Sequence, residues 1–153
     1  MHDLTAAQLL LNRWWFAYDE GHFDAWSDLL TDDVWFTSRT DTGVHPHEAF
    51  IASDNRGSAA VLAWQREHRL ASPYPLRHNS SNFHVTAERG DDLDFASYLH
   101  VTTIAAGAIA PLSTGLADGT LRRVDNGYRL AAVHVVLDFQ EGKPLAEYPT
   151  PRG

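Results

Sequence analysis

The chain has 153 residues, 44% hydrophobic and 21% charged, with a formal net charge of −8 and no cysteine. That length fits one folded domain with a real core, and the composition is that of an ordinary globular protein rather than a disordered or fibrous one. Disulfides, thiol nucleophiles and zinc-thiolate sites are excluded by the missing cysteines; an acidic balance without a basic run argues against a nucleic-acid partner.

The N-terminal MHDLTAAQ lacks a basic region followed by an apolar stretch, so a cytoplasmic protein is expected. From Leu4 to Glu20, the apolar residues Ala7, Leu10, Leu11, Trp14, Trp15 and Tyr18 recur at three- and four-residue spacing, which predicts a helix stopped by Gly21. Phe23, Trp26, Leu29 and Leu30 predict a second helix over 23–30, closing a helical segment that spans 1–30. Val34-Trp35-Phe36-Thr37 marks a first strand, within 33–39. Gly43, Pro46, Asn55 and Gly57 make 40–57 a loop, with at most a short helix near His47 to Ala52. A helix over 58–70 follows, with Val61, Leu62, Trp64 and Leu70 as its apolar contacts and Gln65, Arg66, Glu67 and Arg69 keeping its surface wet. Ser72-Pro73-Tyr74-Pro75 breaks it.

Four β segments then occupy 76–139: Leu76 to Ala87, Leu93 to Ala106, Ile109 to Val124 and Tyr128 to Phe139. The longest weakly polar run, 95–116, contains Ser97, Tyr98, His100, Thr102 and Pro111 and is unsuited to a membrane helix, so no membrane partner is expected. Asp125-Asn126-Gly127 is a hairpin turn, and the proline-containing tail, 140–153, reads as extended. Helices first and a meander afterwards predict an α+β domain, its helices on one face of a mostly antiparallel sheet.

Three stretches together, Ala17-Tyr18-Asp19-Glu20-Gly21 running through Phe23-Asp24-Ala25-Trp26 to Asp32-Asp33-Val34, then Arg77-His78 with Asn82, then Asp125-Asn126-Gly127-Tyr128-Arg129-Leu130, resemble the SnoaL-like branch of the nuclear transport factor 2-like superfamily. The resemblance spans roughly residues 4 to 138 and fits least well over 40–75. It implies a cone-shaped curved sheet wrapped over the N-terminal helices, a cystatin-like roll with an apolar cavity at one end. Fold alone does not give chemistry, because this superfold hosts dehydratases, cyclases, isomerases and catalytically silent subunits.

Helical spacing puts Asp19 in line with Leu11 and Trp15, beside the apolar face of the first helix. A carboxylate in a last turn opposes the helix dipole by about 0.3–1 kcal/mol, which calls for a cationic or hydrogen-bonding partner. The plain alternative is a surface Asp at a frayed helix end. Strand alternation places His78 on one face with Ser80, Asn82 and His84. The resemblance pairs Asp19 with His78: in dehydratases of this superfamily, a His at the matching position works with an Asp closing the first helix. An imidazole of ordinary pKa, about 6.5, can take a proton near neutrality while a carboxylate fixes its tautomer.

His100, sharing a face with Tyr98 and Thr102, and His134, sharing one with Leu130, Ala132 and Val136, are further candidates for a second acid or an oxyanion donor. Each could equally be a satisfied structural histidine. Some family members carry an Arg near the position of His134, so a fixed cationic clamp is in doubt here. Trp14, Tyr18, Trp35, Asn82 and Tyr98 are the candidate substrate-binding residues. His45-Pro46-His47 lacks a convincing third ligand, so no metal is expected. Thr37 or Ser38 stands where the ketosteroid-isomerase variant of the fold places its Asp, which disfavours that mechanism.

The resulting expectation is a cofactor-independent dehydratase, cyclase or isomerase for a small apolar carbonyl compound, assembled as a homodimer or higher homo-oligomer. The alternatives are a non-catalytic partner, since the chain is also similar to the small β subunit of aromatic-ring-hydroxylating dioxygenases, and a ligand-binding domain without chemistry.

Overall fold

A computed structural model describes residues 1–148. The first helix, α1 (Leu4–Glu20), starts on Asp3, whose carboxylate accepts from the Ala6 amide at 3.0 Å. It ends where Gly21, at φ 67°, turns left-handed and donates to the Tyr18 carbonyl while His22 donates to Ala17. Its predicted apolar stripe is the buried one, from Ala7 to Tyr18.

The second helix is shorter than its spacing implies. α2 (Phe23–Trp26) passes through a single 3-10 turn, Ser27–Leu29, and Leu30 already belongs to the first strand, β1 (Leu30–Thr40). After α3 (Glu48–Ile51), the expected loop contains a strand, β2 (Ser53–Arg56), which pairs antiparallel with β1 from Trp35↔Arg56 to Ser38↔Ser53. Its sequence, Ser-Asp-Asn-Arg, has no apolar alternation because it sits at the sheet edge and packs little. α4 (Ser58–Ala71) precedes β3 (Leu76–Arg89), β4 (Asp92–Ala105), β5 (Ala108–Val124) and β6 (Gly127–Asp138). Within the tail, Leu145–Glu147 forms a 3-10 turn instead of extended chain, and 149–153 lie outside the described residues.

The six strands form one sheet in the order β2-β1-β6-β5-β4-β3, antiparallel except for β1 beside β6. Irregularities bend it. In β3, one extra residue is accommodated between Ser81 and His84, where Asn82 takes φ 55°. In β6, Ala131 is the extra residue against the Thr120–Leu121 step of β5. Gly119 lets β5 and β6 approach closely, since a Cβ there would lie 2.0 Å from the Ala132 carbonyl oxygen. The concave face closes over α1, and Leu11, Trp14, Leu30, Val34, Leu93, Phe95, Leu99, Leu121 and Leu130 are buried together there. No helix among the described residues is long and apolar enough to cross a membrane.

Candidate active site

Asp19 closes α1 with only 4% of its surface exposed. Its two oxygens take both nitrogens that His78 offers nearby: Oδ1 meets ring Nδ1 at 2.6 Å and Oδ2 accepts from the backbone N–H at 2.7 Å. The dipole conflict is resolved by a second group. Arg69, buried on α4, donates to the carbonyls of Tyr18 and Asp19 at 2.7–3.1 Å, and to those of Ser72 and Pro73. A guanidinium thus takes up the open carbonyl end of α1, leaving the Asp19 carboxylate to His78.

The His78 ring is clamped from two further sides. Trp15 stacks on it at 4.7 Å between centroids and 5° between planes, and Tyr18 meets it edge-on at 5.2 Å. With Nδ1–H held by a carboxylate, Nε2 is the nitrogen with a free lone pair.

His78 lines two connected chambers under the sheet. The inner one, about 60 Å³, is bounded by Trp14, Trp15, Tyr18, Phe36, Ser38, Trp64, Gln65 and Leu99. The outer one, about 530 Å³, is bounded by His45, His47, Phe50, Leu76, Val101, Leu112 and Phe139. Ile51, His68, His78 and Leu137 belong to both. Among the described residues, no Lys, Arg, Asp or Glu lines either chamber. At the mouth, His45 and His47 have their rings 5.2 Å apart, and His45 stacks on Phe139 at 4.0 Å. No group of three residues suited to hold a metal occurs among the described residues.

α4 brings more to the site than its polar composition implies. Gln65 and Arg69 are buried whereas Leu70 is 67% exposed, the reverse of the expected division. Val61, Gln65 and Arg69 lie four apart, so the face that carries Val61 inward carries the other two with it. His68, one turn after Trp64, stacks on that ring at 4.7 Å and lies tilted against Phe50 at 4.4 Å, and its Nδ1 lies 2.5 Å from the Tyr18 hydroxyl. Burial pushes His68 down to about 4, helped by the nearby charges of His78 and Arg69. Burial also raises Tyr18 well above the ordinary phenol range. Sequence reasoning missed His68, Gln65 and Arg69. The signal available was their three- and four-residue spacing from Val61 and Trp64.

Of the residues predicted from sequence, Trp14, Tyr18, Asp19 and His78 are brought together, and the others are not. Tyr98 and His100 are exposed on the convex face of β4, opposite Ser97, Leu99 and Val101. The Ala131 bulge reverses the register of β6, so Leu130 points inward while His134 turns outward. There His134 meets Thr37 Oγ1 at 2.8 Å and the edge of Trp35 at 4.6 Å. Trp35 lies on that outer face too, donating to Asp54 at 2.7 Å under the Arg56 guanidinium. Asn82 and His84 are exposed because the bulge in β3 takes Asn82 out of alternation and gives the inner face to Phe83.

The family model described as a SnoaL-like domain matches residues 1–134. No curated protein matches the chain by sequence. Among solved structures, a nuclear transport factor 2-like protein with a cystatin-like fold from Novosphingobium aromaticivorans is 21% identical, over 88% of this chain and 81% of that one, with a TM-score of 0.70. The β subunit of benzoate 1,2-dioxygenase from Burkholderia mallei is 17% identical over 90% and 91% of the two chains, with a TM-score of 0.68. A provisionally assigned dehydratase of the same superfamily from Streptomyces avermitilis is 16% identical over 90% and 98%, with a TM-score of 0.71. At these identities the likeness is one of fold.

Proposed function

The chain belongs to the SnoaL-like domain family, and from that premise we propose that it is a cofactor-independent lyase or isomerase, a dehydratase or cyclase, acting on a small uncharged carbonyl compound. The observation that carries this reading is the Asp19–His78 pair at 2.6 Å, set at the junction of two apolar chambers. His78 Nε2 is the base. It takes the proton from the carbon next to the substrate carbonyl, and the electron pair moves into the carbonyl to give an enolate. Asp19 holds Nδ1–H throughout and stabilises the imidazolium. In a dehydration, the enolate then expels the β-hydroxyl, which leaves as water with the proton carried by Nε2. The stacked Trp15 and the buried carboxylate keep the ring from turning, so the base is oriented before substrate arrives.

The test is exchange of α-protons of 1-indanone with D₂O, followed by NMR, together with conversion of 3-hydroxy-1-indanone to indenone and water, followed by absorbance. The native protein is expected to accelerate the exchange. His78→Ala should lower the rate by about 10²–10⁴-fold while leaving the fold intact. Asp19→Asn, which removes the charge that stabilises the imidazolium, should fall between the two. Exchange unchanged in His78→Ala would remove His78 from the chemistry.

A second reading is favoured by the fold likeness to the benzoate dioxygenase β subunit: a structural subunit with no turnover of its own. A purified chain that exchanges no α-protons and forms a defined complex with a large dioxygenase subunit would establish it instead.

A further inference from the structure

The inner chamber holds polar atoms that the protein itself leaves unanswered. Gln65 is 1% exposed, and both its Nε2 and its Oε1 are buried without a hydrogen-bond partner, as are His68 Nε2 and the indole nitrogens of Trp14 and Trp15. An amide buried with neither end satisfied costs free energy that a protein interior rarely carries without a use for it. All of these residues line the inner chamber.

The tautomer of His68 follows from its partner. Between a phenol and a neutral imidazole, the phenol is the better donor and the ring nitrogen the better acceptor, so Tyr18 O–H donates to Nδ1 and the ring hydrogen sits on Nε2. His68 therefore presents a fixed N–H to the chamber, and burial keeps the ring uncharged above about pH 5. It is a donor and not a second base.

We infer that Gln65 and His68 form a neutral polar-head subsite, which takes the carbonyl-and-hydroxyl end of a small uncharged ligand while the outer chamber takes its apolar body. A carbonyl oxygen has two lone pairs, enough for Gln65 Nε2–H and His68 Nε2–H together. A neighbouring hydroxyl can donate to the unpartnered Gln65 Oε1. The inner chamber, about 60 Å³, has room for such a head and little more. The inference rests on reading the chambers as a substrate site. In that reading, the same two donors receive the charge that develops on oxygen when His78 removes the proton, a task for which a neutral imidazole is suited.

The experiment measures binding, not turnover. Indane and 1-indanone are titrated by calorimetry into the native protein and into Gln65→Met, His68→Phe and His78→Asn; 3-hydroxy-1-indanone, which the native protein would dehydrate, is titrated into His78→Asn alone. The native protein is expected to bind the ketone about tenfold more tightly than the hydrocarbon, and His78→Asn to bind the hydroxyketone more tightly than the ketone. In Gln65→Met and in His68→Phe the spread should shrink to about threefold with the affinity for indane unchanged; His78→Asn should keep the spread. Gln65→Met should also melt at a higher temperature than the native protein, because it removes an unpartnered amide from an apolar wall. No ketone binding up to its solubility limit, or a spread that survives in both Gln65→Met and His68→Phe, overturns the subsite. Discrimination that persists in a protein inert in the exchange assay supports the subsite and removes the proposed reaction. Exchange without discrimination keeps the reaction and overturns the subsite.

Discussion

At the scale of single residues, the pair of half-buried histidines divides the work by environment. His78 has a carboxylate on Nδ1, which holds the ring hydrogen there and leaves Nε2 open; His68 has a phenol on Nδ1 and aromatic walls, and burial there favours a neutral ring. The groups facing His68 are Tyr18 from α1, His78 from β3 with Asp19 behind it, and its neighbour Arg69. Its burial has a consequence for stability. An unfolded histidine takes its proton near pH 6.5, whereas His68 in the fold resists protonation down to about 4. Between those values the unfolded chain binds the extra proton, so the contribution present above about pH 6.5 is lost as pH falls. Urea midpoints should show the native protein losing on the order of 2 kcal/mol between about pH 7 and pH 4 that His68→Phe does not lose. Parallel pH profiles for the two proteins would show that His68 is not held neutral.

At the scale of elements, the curvature that makes room for the chambers depends on close contact between β5 and β6. Gly119→Ala would place a Cβ 2.0 Å from the Ala132 carbonyl oxygen and 3.1 Å from the Phe95 ring, on a strand with backbone on both sides. Neither neighbour can yield cheaply, so the substitution should cost about 3 kcal/mol in a urea titration. Gly142→Ala, with nothing within 4 Å, should cost almost nothing. The elements were legible in proportion to how fully packing alone sets their pattern. α1 buries one clean stripe and was readable to its Gly21 stop. β2 is polar and marginal, and left no trace beyond a loop-like composition. α4 was found as a helix with its faces misassigned, because the polar residues it turns inward, Gln65, His68 and Arg69, serve a helix end and a chamber and not a core. The strands were readable as strands, but strict alternation cannot register a bulge. One extra residue in β3 and one in β6 are enough to send Asn82 and His134 to the outside. Asp19 was legible because a helix periodicity and a family resemblance both pointed to it, and His78 because the resemblance did.

At the scale of the whole molecule, charge and cavity agree on what is admitted. The chain carries a formal −8, and among the described residues no Lys or Arg lines either chamber to meet an anion. The buried guanidinium of Arg69, next to His68 on α4, is spent on four backbone carbonyls. A carboxylate entering the chamber would give up its water without receiving a cation in return, and it would approach against the field of an acidic surface. Indane-1-carboxylate should therefore bind at least about tenfold more weakly than 1-indanone at neutral pH. The two costs separate with salt. Raising ionic strength from about 0.05 M to about 0.5 M screens the long-range repulsion and should recover only part of the gap, because desolvation inside an uncharged chamber is insensitive to salt. A carboxylate that matches the ketone at low salt would show that a cation reaches the chamber, and would assign the protein an anionic ligand in place of a neutral carbonyl compound.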